Sequence, residues 1–135
     1  MTLARIVVLY LLTVPVFFAV DLIWLGLVAP KFYGHHIGHL MADRVNWIAA
    51  LVFYLLFIVG IVMLAVVPAM EKASMAKAVL AGALLGLVAY GTYDLTNLAT
   101  LRDWPLIVTI VDLAWGTVLT AVVSAMSYVI AGRLR

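Results

Sequence analysis

The chain has 135 residues, of which 68% are hydrophobic and 10% charged, with a formal net charge of +2. Soluble domains are about half apolar and a quarter charged, so this composition leaves too little polar side chain to cover a water-exposed surface, and the small, scattered charge argues against nucleic acid as a partner. Cysteine is absent, which excludes disulfides, thiolate metal sites and cysteine nucleophiles.

The order of apolar runs predicts an all-α fold, a four-transmembrane-helix bundle with up-down-up-down topology, in one integral membrane domain covering residues 1–135. The first span is expected at about 6–29, enough to cross a ~30 Å hydrocarbon core. Its run is too long for a signal-peptide core and lacks a small-x-small cleavage site, so it reads as a retained span. Pro15 removes a backbone donor inside it and should bend it. Helical spacing places Tyr10, Thr13, Phe17, Asp21 and Trp24 on one stripe, expected to face other helices. Pro30 and Gly34 are expected to end the span. A loop at 31–46 follows, with Lys31, Phe32 and Tyr33 as an interface anchor and His35, His36 and His39 beyond them.

The second span is expected at about 47–67, closed by Pro68, with Tyr54 as its strongly polar group at mid-depth. The third, at about 78–101, begins with small residues (Gly82, Ala83, Gly86) that allow close helix contact. It ends in a polar stretch carrying Tyr90, Tyr93, Asp94 and Asn97, with Asp94 on one face with Tyr90 and Asn97. The short turn 102–104 makes spans three and four an antiparallel hairpin. The fourth span, at about 105–130, is expected to be capped by Asp103 and carries Asp112 and Trp115.

Four spans put both termini on one side, with Arg5, Lys72, Lys77, Arg133 and Arg135. Lys31, Arg44 and Arg102 lie on the other. Five basic residues against three place the termini in the cytoplasm by the positive-inside rule.

The acids carry the functional signal. Asp21 lies nine residues before Pro30, Asp94 nine before Asp103, and Asp112 nine after it. At ~1.5 Å per residue all three sit roughly 13 Å below the same face. An ionised Asp at a helix centre costs about 2.5–3.5 kcal/mol on insertion scales, so these must be protonated, paired or facing a wet cavity. Tyr10, Tyr54, Tyr90, Tyr93, Asn97 and Thr100 are candidate donors to them, Arg102 a candidate partner, and Trp24 and Trp115 candidate cavity walls, each three residues from an Asp. Trp47 and Trp104, at span ends, read as interfacial belt residues. His35, His36 and His39 have spacings that suit a transition metal if their loop is helical. A polar headgroup-level loop is the plainer account. No phosphate loop, nucleophile elbow or HExxH pattern is present.

Three stretches together carry a resemblance: Asp21-x-x-Trp24-x-Gly26, the run YDLTNLATLRDWP at 93–105, and Asp112-x-x-Trp115-Gly116. They resemble the bacterial predicted membrane proteins grouped as domain of unknown function 2177. The resemblance spans essentially the whole chain. It implies a small bacterial inner-membrane protein with four spans and brings no assigned reaction, cofactor or catalytic residue.

Three functional readings follow from the acids. The first is ion- or proton-linked binding or transport of a small or amphiphilic ligand, with a homodimer expected because four spans seldom enclose a path alone. The second is a membrane enzyme acting on a lipid-like substrate, with one Asp as general acid or base. The third is a structural or assembly subunit whose Asp residues fix helix packing.

Overall fold

The computed structural model describes residues 1–134; Arg135, the last of the basic residues counted above, lies outside them. Four helices are long and apolar enough to cross a membrane: Leu3–Leu27, Trp47–Glu71, Met75–Thr100 and Leu106–Arg133. The described residues contain no strand.

The first of these is α1 (Leu3–Leu27). It starts where the Thr2 hydroxyl accepts the backbone N–H of Arg5, 3.4 Å away, and it continues through Pro15. Pro30 does not end helical structure as expected. The chain restarts as α2 (Ala29–Ile37), with Pro30 in the first turn, where a missing N–H has no helical acceptor to lose. Gly34 therefore lies inside a helix, and the expected loop is helical as far as a 3-10 turn at Gly38–Leu40.

Asn46 caps α3 (Trp47–Gly60) by accepting from the N–H of Ala49 at 3.1 Å. Pro68 does not close this helix. The chain widens into a π-helical segment, Ile61–Val66, in which the N–H of Val67 reaches back five residues to Val62, and then continues as α4 (Val67–Glu71). A proline ring clashes with the carbonyl four residues before it, and a widened turn relieves that clash. Ser74 caps α5 (Met75–Thr100) through the N–H of Lys77 at 3.3 Å. The last helix, α6 (Leu106–Arg133), has Pro105 at its N-cap and no side-chain cap. Asp103 faces His39 at 3.7 Å instead, so its expected capping role is corrected.

Glycines let α5 and α6 approach closely. Gly82 lies against Ser124, Gly86 against Gly116 and Thr120, and Gly116 against the ring of Tyr90. These pairs count upward on one helix and downward on the other, so the two run antiparallel. A Cβ at Gly86 would come within 2.6 Å of the Thr120 hydroxyl. Towards the termini, Leu9, Ile58, Ile61, Val62, Leu119 and Val123 form the apolar core, while Ile48, Leu80 and Leu106 stay exposed on the outer faces. At the other end the helices part. Towards the termini α5 packs on the π segment, while at the parted end it makes little contact with α3.

Candidate functional site

Where the helices part they leave a partly open cavity of about 490 Å³. The stripe on α1 brings Asp21 and Trp24 to its wall, α3 brings Tyr54, α5 brings Tyr90 and Tyr93, and α6 brings Asp112 and Trp115. Asp21 is 3% exposed and Asp112 5%. Because α2 folds back from the end of α1, Tyr33 reaches the same space.

The indoles of Trp24 and Trp115 stack in parallel, 4.7 Å between centroids and 8° between planes. The Trp24 indole N–H donates to the Tyr33 hydroxyl at 3.2 Å, and that hydroxyl donates a short hydrogen bond to Asp112. Burial, and then the Asp112 carboxylate, push the Tyr33 phenol above its ordinary range, so Tyr33 stays protonated and remains the donor. Asp21 interacts with the Tyr54 hydroxyl and lies near the Trp115 indole. The Trp115 N–H stops short of a hydrogen bond and has no other partner.

Asp94 is fully buried within hydrogen-bonding reach of Asp112, and no donor group of the chain meets either of its oxygens. Two carboxylates side by side repel unless a proton or a cation sits between them. The backbone here is fixed by a relay: the Trp104 indole donates to the Thr109 hydroxyl at 3.1 Å, and Thr109 donates to the Asp94 carbonyl at 3.3 Å. Tyr90, held over Gly116, lies within electrostatic reach of all three acids. The structure thus gathers Asp21, Asp94 and Asp112 around one ring.

Of the other residues singled out in the sequence, Trp24, Tyr90, Tyr93 and Trp115 line the cavity. Asn97 touches Tyr93 from outside the lining, and Arg102 is exposed in the turn and does not reach the acids. His35 and His36 pack edge to face at 4.8 Å, with His36 also against Phe32, while His39 faces Asp103. The three histidines form no metal-binding group among the described residues.

Two aromatic residues lie in the site where the sequence pointed to the membrane interface. Tyr33, expected as an interface anchor, is part of the site; a proline followed by a helix-competent run, the usual start of a helix, was the available signal. Trp104, expected in the interfacial belt, is 8% exposed and lines the cavity with its ring edge to face against Tyr93 at 5.6 Å. Nothing in its local sequence distinguishes it from a belt residue.

Four apolar helices define a multi-pass membrane protein. Within that class the chain belongs to the family of predicted membrane proteins DUF2177, whose model matches residues 6–129. No curated protein and no solved structure matches it.

Proposed function

We propose that this is an ion- or proton-linked binding protein for a small or amphiphilic ligand, acting at the cavity between Asp21 and Asp112. The observation that carries the reading is a cavity of about 490 Å³, within the size range of small-molecule sites, lined by two buried carboxylates and, among the described residues, by no Lys, Arg or His. Buried charge without a partner inside a bilayer is costly and marks ion and substrate pathways. Asp94, unpartnered beside Asp112, supplies a second carboxylate between which a proton or cation can be held.

The reading includes a single domain with up-down-up-down topology, supported by antiparallel residue pairs such as Thr13 with Ser127 on α1 and α6. It includes both termini in the cytoplasm of a bacterial inner membrane, supported by the basic residues Arg5, Lys72, Lys77 and Arg133. A homodimer completes it, since one four-helix chain is thin for an enclosed path.

Proton flux into proteoliposomes, followed with a trapped pH-sensitive dye, tests the linkage. Wild type should carry flux, and the Asp94→Asn, Asp112→Asn double variant should lose it at least about tenfold; equal flux in both overturns the reading. The Tyr33–Asp112 hydrogen bond favours a second reading, a membrane enzyme using that pair as acid and base on a lipid-like substrate. Turnover of a bacterial lipid extract that Tyr33→Phe abolishes would select it.

A further inference from the structure

Resting on the ligand-binding reading above, we propose that the cavity takes an organic ammonium group carried on an apolar chain, the head lying among the acids and the chain leaving through a cleft between α3 and α5. Three independent features converge on that class.

The first is charge. Asp21 and Asp112 line the cavity and Asp94 lies beside Asp112 with no donor on its oxygens, yet no basic side chain among the described residues lines the space. Among the described residues, the one contact of an acid with a basic side chain joins Asp103 to His39 at 3.7 Å, in the turn region outside the cavity. A cationic group in the space would meet these acids without competition from a basic side chain of the lining. The second is the nature of the walls. A bare metal ion needs several oxygen or nitrogen ligands, and among the described residues no three His, Asp or Glu side chains come together as a metal-binding group. The walls are instead aromatic, with Trp24 and Trp115 stacked at 4.7 Å. Aromatic faces bind alkylammonium groups through their quadrupoles, tryptophan best of all. The cavity is also far larger than an ion.

The third is the cleft. A second space of about 390 Å³ is lined by Phe53, Tyr54, Ala89, Tyr90 and Tyr93, and it shares Tyr54, Tyr90 and Tyr93 with the main cavity. It lies where α3 and α5 make little contact, and its outer residues Phe53 and Tyr93 are 47% and 57% exposed. On a helix face that meets lipid, such an opening admits an apolar chain from the side while keeping its polar head at the acids.

The test uses purified full-length protein in an uncharged maltoside detergent, with tryptophan fluorescence as the readout. Four probes share one chain length: octyltrimethylammonium, octylphosphocholine, octanol and octanoate. Octyltrimethylammonium should saturate the signal at a concentration about tenfold below octanol, with octanoate weaker still. Asp21→Asn and Asp112→Asn should each remove that preference. Octylphosphocholine matching octyltrimethylammonium supports the proposal and identifies a lipid headgroup as the source; octylphosphocholine falling to the octanol level supports it with a free amphiphilic amine. Octanol or octanoate binding as well as the ammonium overturns the cationic class while leaving a ligand cavity. No saturable response to any probe overturns the proposal together with the binding reading. The preference among probes is read on wild type, so it stands even if a variant fails to fold.

Discussion

The two ends of the bundle are both polar for a membrane protein, but they handle polarity in opposite ways. Towards the termini the buried polar groups are hydroxyls. Thr13 donates to the Leu9 carbonyl at 2.8 Å and Thr120 to the Gly116 carbonyl at 2.7 Å, each one turn back on its own helix. A hydroxyl satisfied this way needs nothing from a neighbour, so α5 and α6 close on glycines. Ser124, unpartnered against Gly82, departs from this pattern. Towards the α5–α6 turn the buried polar groups are the carboxylates Asp21, Asp94 and Asp112, with the hydroxyl of Thr109, which donates across to the Asp94 carbonyl on α5. A carboxylate only accepts hydrogen bonds, and inside a helix every N–H is already engaged. Its donors must come from other helices, and here Tyr33 and Tyr54 supply only some of them. The helices part around the unmet demand, and a cavity results.

This contrast is sharpest where one residue is pushed from either side. Gly116 stands at the boundary, with the Tyr90 ring occupying the place of any side chain. Gly116→Leu should force α5 from α6 and displace Tyr90 from the acids. The expected cost is about 3 kcal/mol, at the upper end of overpacking penalties, with loss of ligand response, read as a fall in melting temperature in detergent. An unchanged melting temperature would mean that the seam is looser than its glycines imply.

Asp94 should behave in the opposite sense. Asp94→Asn keeps the volume, removes the repulsion from Asp112 and adds an amide N–H that can donate to it. Relief of an unsatisfied buried group is worth up to about 2 kcal/mol, so this variant should melt higher than wild type while losing function. Such an exchange of stability for activity is the mark of a site. A variant that melts lower would show that Asp94 serves packing, which is the assembly-subunit reading.

The sequence carried the architecture because its evidence is coarse: long apolar runs, few charges, and a polar stretch ending the third. It carried the meeting of Asp21, Asp94 and Asp112 because helical rise is constant, so equal separations from the turns mean equal depth. It did not carry the π segment, which arises from the clash of Pro68 with the preceding turn and changes no hydrophobic pattern. Nor did it carry the role of Tyr33, because a break at Pro30 reads as an ending from one side and as a helix start from the other. Arg102 is a candidate partner of the acids because it lies at their end of the bundle; the turn that carries it keeps it exposed.

The smallest expected effect tests the terminal end by itself. Thr13 hydrogen-bonds Ser127 at 3.0 Å and so joins α1 to α6. Thr13→Val keeps the shape and removes the hydroxyl. If that hydroxyl is satisfied mainly by the Leu9 carbonyl of its own helix, the loss is one interhelical bond, which averages about 0.6 kcal/mol in membrane proteins, and Ser127 can turn to a carbonyl one turn back. The melting temperature should then move by only a degree or two, with ligand response intact. A loss several times larger would place Thr13 and Ser127 in the same class as the carboxylates, as groups that depend on another helix, and the difference drawn between the two ends would fail there first.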